Sequence, residues 1–275
     1  MSTQPIGVFD SGLGGLSVVR QLRRELPNEN IVYFGDTARV PYGSKSKRTV
    51  VTFAVECARF VLQHDPKLIV AACNTASALA MEELHAALPV PVVGVVEPGA
   101  AAAARLADGG SVAVLGTEAT IASRAYPTAI HALNPQAAVD AAACPLLVPL
   151  VEEGRDSADP IVQLAVRTYL EPLRGPKLRA VVLGCTHYPL LREAIAEFLG
   201  AGVAIVDSGR ETALVVHERL AADGLLSPSR EQGSIRCYVS DNPARFRRVS
   251  SRFLDEDVNE VELVEPERYI SALQP

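Results

Sequence analysis

The sequence has no tryptophan, and aromatic residues make up only 5% of it. Platforms on which the bases of single-stranded nucleic acid could stack are therefore scarce. Basic residues are in the minority, 26 Lys and Arg against 32 Asp and Glu, for a net charge of −6 and an isoelectric point near 5.5. Binding a polyanion requires a surplus of cations, so no nucleic-acid partner is expected. The one basic cluster, Arg245, Arg247, Arg248 and Arg252, has Asp241, Asp255 and Glu256 nearby and reads as a solvated helix face without function. No run approaches the ~18 apolar residues of a membrane span. The start, MSTQPIGVFDS, has neither a basic n-region nor an apolar h-region, so a cytoplasmic protein without membrane contact is expected. Cysteine is sparse: positions 57, 73, 144, 185 and 237 are widely spaced, none in a CxxC pair, which predicts free thiols and no zinc site. With 48% hydrophobic and 21% charged residues and no low-complexity tract, the 275-residue chain is an ordinary globule of one large or two small domains.

Short β-branched apolar runs recur at 6–10, 30–35, 67–72, 91–96, 111–116, 179–184 and 203–207. Stretches of helical period lie between them, among them Leu13 to Leu26, Arg48 to Gln63, Ala76 to Ala87 and Pro189 to Leu199. This alternation predicts an α/β fold, and strands apolar on both faces predict parallel sheets covered by helices. In such sheets ligands collect at the carboxyl ends of the strands. Four strands there run into small, polar or reactive residues: Asp10-Ser11-Gly12, Cys73-Asn74-Thr75, Gly116-Thr117-Glu118 and Cys185-Thr186-His187. The separation from Asp10 to Cys73 resembles that from Thr117 to Cys185, a faint internal duplication. Pro98 and Gly99 mark a crossing into a second lobe, and Asp207-Ser208-Gly209 the return. The expected architecture is two similar lobes related by a pseudo-two-fold, residues 1–97 with 208–275 and residues 98–207, meeting in a cleft. The last strand (235–239) and helix (242–254) can join either sheet.

Cys73 and Cys185 each sit where a strand ends and a helix is expected, a position that favours the thiolate and lowers the thiol pKa. One such cysteine is commonly a buried small hydrophobe. Two in equivalent positions suit a reaction that treats mirror-related faces of a substrate alike, one thiolate removing an α-proton while the opposite thiol delivers one. Cys57, Cys144 and Cys237 lack this setting. Asp10 and His187 stand beside the thiols as candidate proton partners, and the roles of Asp36 and Glu153 stay open. Side chains at Ser11, Asn74, Thr75, Thr117, Thr120 and Thr186, with backbone amides, could hold the carboxylates of a small acid.

At these residues the chain resembles the cofactor-independent glutamate racemases of the aspartate/glutamate racemase superfamily. The likeness runs nearly end to end, through IGVFDSGLGGLSV (6–18), YFGDTARVPYGSKS (33–46), ACNTAS (72–77), VVGVVEPGA (92–100), VLGTEATIAS (114–123), CPLLVPLVEEG (144–154) and LGCTHYPLL (183–191). The resemblance implies Cys73 acting on the D-isomer and Cys185 on the L-isomer, assisted by Asp10 and His187 respectively. It implies substrate contacts at Asp10, Ser11, Tyr42, Gly43, Asn74, Thr75, Thr186 and His187, with Thr117 and Thr120 added. It also implies no pyridoxal phosphate, flavin or metal, a cytoplasmic homodimer, and supply of D-glutamate for peptidoglycan.

Rival readings meet specific obstacles. A dinucleotide site needs Gly where Ser17 stands, and Asp10 and Asp36 would face a pyrophosphate. A pyridoxal-phosphate enzyme needs a lysine in the pocket, and Lys45, Lys47, Lys67 and Lys177 fall in a polar turn or before strands. A thiol hydrolase leaves the second cysteine unexplained. Two alternatives stay open: an aspartate racemase, whose chemistry is identical, and a non-catalytic module that binds an acidic amino acid. By resemblance His187 favours glutamate, since aspartate racemases typically carry Glu there.

Overall fold

Among the described residues ten strands carry the architecture, and the composition of the central ones explains why they are buried. In the computed structural model, which describes residues 1–258 and 260–270, these are β1 (Ile6–Asp10), β2 (Ile31–Gly35), β3 (Leu68–Ala71), β4 (Val92–Gly94), β5 (Ser111–Gly116), β6 (Ala138–Ala143), β7 (Leu178–Gly184), β8 (Ala204–Asp207), β9 (Ile235–Val239) and β10 (Val261–Leu263). Every residue of β1, β2 and β3 is buried, as expected of strands covered by helices on both faces. All pairings are parallel and form two sheets, one of order β10-β9-β2-β1-β3-β4 and one of order β6-β5-β7-β8.

The two sheets share a topology. Replacing β1 to β4 by β5 to β8 converts the order β2-β1-β3-β4 into β6-β5-β7-β8. Asp10 thus ends β1 and Thr117 directly follows the equivalent β5, while Cys73 and Cys185 follow the equivalent β3 and β7. Register aligns the carboxyl ends: Asp10 pairs Gly35, and Gly116 pairs both Ala143 and Gly184. Residues just beyond these ends are therefore gathered at one end of each sheet.

The connections between the sheets are helical. Val96–Leu106 leads into the second sheet and Ser208–Ala222 leads out of it; the two helices pack on each other, and the second also packs on Leu16–Glu25. One apolar cluster contains Val8 and Val70 of the first sheet, Leu115 and Val181 of the second, and Val19, Leu22, Val216 and Leu220 of the helices between them. Emptying one such site, for example Leu22→Ala, costs about 2–5 kcal/mol.

Several expected elements differ. The run at 91–96 is a strand only over Val92–Gly94, because Val96 already begins a helix. The helix expected over 76–87 breaks at Ala80 into Asn74–Leu79 and Met81–Ala87. The one expected over 189–199 is a 3₁₀ turn, Tyr188–Leu191, followed by Arg192–Leu199. β9 joins the first sheet beside β2, with Ile31 opposite Ile235. Strands β6 and β10 have no clear sequence signal: AVDAAA is alanine-rich and VEL spans three residues. No helix among the described residues is long and apolar enough to cross a membrane.

Candidate active site

The four strand-end segments converge on one cavity. β1 opens into Ser11-Gly12, and β3 into Cys73, which stands at the N-cap of Asn74–Leu79. β5 opens into Thr117, whose Oγ1 accepts from the Thr120 amide at 3.3 Å and caps Glu118–Ser123. β7 opens into Cys185-Thr186-His187. Both Cys73 and Cys185 line the cavity, with Ser11, Tyr42, Gly43, Asn74, Thr75, Thr117, Thr186 and His187 around them. The free volume is about 40 Å³, room for about three waters.

Among the described residues neither lysine nor arginine lines this cavity, and two polar groups at or just behind its wall lack partners. Asn74 accepts from the Tyr126 hydroxyl at 2.7 Å through Oδ1, while its Nδ2 is buried without a hydrogen bond. Asp10, just beneath the lining, accepts from the Gly12 amide at 2.8 Å through Oδ2, while Oδ1 is buried and unpaired. Leaving such atoms unsatisfied costs about 1–3 kcal/mol each. An incoming ligand that completes them recovers that cost, and the free Asn74 donor suits a carboxylate.

The two thiols have different neighbours. Cys73 Sγ lies 3.6 Å from Ser11 Oγ, with the Asp10 carboxylate close enough to act on it. Burial, reinforced by Asp10, pushes the Cys73 thiol up to about 12, although the Ala76 amide and Ser11 hydroxyl oppose this. The sequence position predicts a lowered thiol; in the closed cavity desolvation outweighs the helix amides, and Cys73 is neutral. Asp10 is itself raised by burial, against His187 and the Gly12 and Gly15 amides.

Cys185 faces a cation. His187 Nδ1 lies 3.9 Å from Cys185 Sγ, and His187 Nε2 lies 3.1 Å from Glu152 Oε1. Burial disfavours the imidazolium, but Cys185 and Glu152 together lift His187 to about 10. Glu152 is correspondingly lowered by its bond to His187 and by Arg245. Because the folded value lies above the ordinary 6.5, this pairing stabilises the fold fully below the ordinary value and is lost as pH rises through the folded one. The melting temperature is expected to fall between about pH 7 and pH 10; in His187→Gln the fall over that window should be smaller. Contrary to expectation, Cys185 does not begin an α-helix directly, since a 3₁₀ turn intervenes.

Other expected residues lie behind the wall. Thr120 Oγ1 is buried 2.9 Å from Thr117 Oγ1 and 3.2 Å from Thr75 Oγ1, and it supports both without lining the cavity. Tyr42 lines the cavity but donates its hydroxyl to Asp36, so its polar end is turned away. Asp36 is fully buried, accepts from Ser240 and Arg39 as well, and anchors that loop. Glu153 is exposed and pairs with Arg155 at 3.7 Å. Its neighbour Glu152 is the one that reaches the cavity. In the run LVEEG, only the helix phase of Leu147–Glu152 distinguishes the two. Val148, on the same helix, also lines the cavity and carries no sequence signal. The arginine cluster is not simply solvated: Arg245 binds Glu152 at 3.1 Å and Arg252 donates to the Val151 carbonyl at 2.8 Å. Cys57, Cys144 and Cys237 are buried outside the cavity, and burial raises all three thiols. Among the described residues no three His, Cys, Asp or Glu side chains form a metal-binding group.

A family model described as Asp/Glu/Hydantoin racemase matches residues 6–215. A glutamate racemase of Geobacter metallireducens is 51% identical over 261 residues, 95% of this chain and 96% of its own. The crystal structure of glutamate racemase from Francisella tularensis in complex with D-glutamate superimposes with a TM-score of 0.89 at 39% identity, covering 96% of this chain and 98% of that one. The glutamate racemase from Thermus thermophilus in complex with beta-chloro-D-alanine superimposes with a TM-score of 0.88 at 48% identity, covering 97% and 98%.

Proposed function

The chain belongs to the Asp/Glu/Hydantoin racemase family, and from that membership we propose that it interconverts L- and D-glutamate by a two-base mechanism needing no cofactor. Cys185 as thiolate takes the α-proton of L-glutamate, and Cys73 as thiol gives its proton to the opposite face. D-glutamate leaves, with the proton now on Cys185 and the negative charge on Cys73. The reverse reaction exchanges these roles. The observation that carries the reading is that two thiols, following equivalent strands of a repeated topology, line one cavity.

In this reading the neutral Cys73 is poised to donate, with Asp10 beside it to receive or return a proton. His187, as imidazolium, serves Cys185 in the same way from a ring nitrogen within 3.9 Å. The Asn74 amide, the Ser11, Thr75, Thr117 and Thr186 hydroxyls and the backbone near Gly43 hold the two substrate carboxylates. The two lobes, residues 1–97 with 208–275 and residues 98–207, part to admit substrate and close to expel water. A cytoplasmic homodimer supplying D-glutamate for peptidoglycan completes the proposal.

Purified, metal-free and cofactor-free protein incubated with L-glutamate should lose its circular dichroism signal to zero as the racemate forms. L-aspartate should be unchanged over the same time; racemisation of aspartate alone would instead select the aspartate racemase reading. No change with either would leave a binding module.

The glycine loop after β1 tests the need for a close approach between the lobes. A Cβ on Gly14 would lie 2.1 Å from Thr186 Oγ1 and 2.6 Å from the His187 ring. Gly14→Ala must displace the Thr186 hydroxyl and the His187 ring beside Cys185. The expected result is a fall in kcat of about 10²-fold, the cost of misplacing a reacting group by about 1 Å, measured by the same assay.

A further inference from the structure

We propose that the helix Pro243–Leu254 is a positioning element for the Cys185 side of the reaction, with Arg245 as the residue that holds Glu152, and through it His187, in place when the lobes close. The inference rests on the racemase reading above and assigns a role to the arginine cluster that the sequence left without one. The helix lies between β9 and β10, in the portion of the chain that builds the six-stranded sheet. It packs on Leu16–Glu25 and on β10 of its own lobe, and from there several of its side chains reach across to the other lobe. Arg245 Nη2 donates to Glu152 Oε2 at 3.1 Å, and the other oxygen of that carboxylate is 3.1 Å from His187 Nε2. Arg252 Nη1 donates to the Val151 carbonyl at 2.8 Å, fixing the end of the helix that carries Glu152. Phe253, fully buried, meets the His187 ring edge-on, with centroids 5.3 Å apart and an interplanar angle of 83°.

Positions 245, 252 and 253 share one helix face, since separations of seven and eight residues complete two turns. Three independent contacts from that face thus converge on one relay, Arg245 to Glu152 to His187 to Cys185. Such support fixes the rotamer and tautomer of a proton-transfer group without touching substrate. Because the relay is assembled from both lobes, the imidazole is correctly held only in the closed form. An opened cleft, in which substrate is not yet shielded, therefore has a disengaged Cys185 arm. Cys73 has no equivalent tie to this helix, so the device acts on one of the two proton transfers only.

That asymmetry supplies the test. In Arg245→Gln, kcat should fall about tenfold while KM changes by less than about twofold, the lower end of what outer support of a proton-transfer group contributes. With slow transfer at Cys185, the primary isotope effect on α-deuterated L-glutamate should rise above the wild-type value. The effect on α-deuterated D-glutamate, whose first transfer is at Cys73, should fall. Arg245→Lys, which keeps a cation near Glu152, should move both isotope effects part of the way back. Arg248→Gln, on the same helix with its side chain exposed, should match wild type. A kcat loss with both isotope effects unchanged, or a change in KM alone, would overturn the assignment; so would an Arg245→Gln enzyme indistinguishable from wild type. Wild-type protein without racemase activity would overturn this inference together with the reading it rests on.

Discussion

Cys73→Ser and Cys185→Ser should each lower racemisation of glutamate by more than about 10³-fold, because each removes one member of an acid–base pair whose contributions run to about 10²–10⁴-fold apiece. Both cysteines are buried, and serine is nearly isosteric, so the fold should survive with only a small loss of stability. A serine hydroxyl is a far weaker acid than a thiol, and at neutral pH it neither removes an α-proton nor returns one at a useful rate. The two variants should differ in what they retain. With Cys73 intact, Cys185→Ser can still exchange the α-hydrogen of D-glutamate with solvent without inverting it. With Cys185 and its His187–Glu152 relay intact, Cys73→Ser can still exchange that of L-glutamate. Proton NMR in D₂O of each enantiomer with each variant measures this directly, and a non-catalytic binding module would show no exchange in any of the four combinations.

Asn74→Asp carries the second large expectation. The Tyr126 hydroxyl bonds Asn74 Oδ1 at 2.7 Å, which fixes the amide so that Nδ2 is the buried donor left unpartnered. A substrate carboxylate that accepts from it gains a charge-assisted bond of about 1.5–3 kcal/mol. Aspartate preserves the bond from Tyr126 but turns the free donor into an anionic acceptor facing another anion. Loss of the bond and repulsion together should cost about 3–4 kcal/mol, a fall of about 10²–10³-fold in kcat/KM. Asn74→Ala loses the substrate bond and the one from Tyr126 but adds no anion, and should fall by about tenfold to a hundredfold. Equal losses in the two variants would mean that no carboxylate sits there.

What the sequence made legible follows physical lines. The seven apolar runs announce buried parallel strands because covered strands must be apolar on both faces. β6 and β10 are illegible for the complementary reason: both are largely exposed or half-exposed edges. The strand-end segments are readable because parallel α/β sheets put ligands at carboxyl ends, which singles out Asp10, Cys73, Thr117 and Cys185. Side-chain direction was not readable. Tyr42 lies at the cavity with its hydroxyl directed to Asp36, and Thr120 supports the wall from behind. Choosing Glu152 over Glu153 needed the helix phase, and the contribution of Arg245 and Arg252 needed the packing of the last helix against the second lobe. The thiol state also depends on tertiary structure, since burial at Cys73 exceeds the favourable effect of its N-cap position.

The central claim is that two opposed thiols divide the work of one inversion, and isotope labelling at early conversion tests it most directly. Wild-type protein is incubated with protiated L-glutamate in D₂O, and both enantiomers are separated and analysed by NMR before a few per cent has reacted. The proton abstracted by Cys185 is not the one delivered, so the D-glutamate formed should carry deuterium at Cα while recovered L-glutamate remains protiated. Deuterium appearing equally in both enantiomers from the start, or D-glutamate that retains the original proton, would point to a single base and contradict the account.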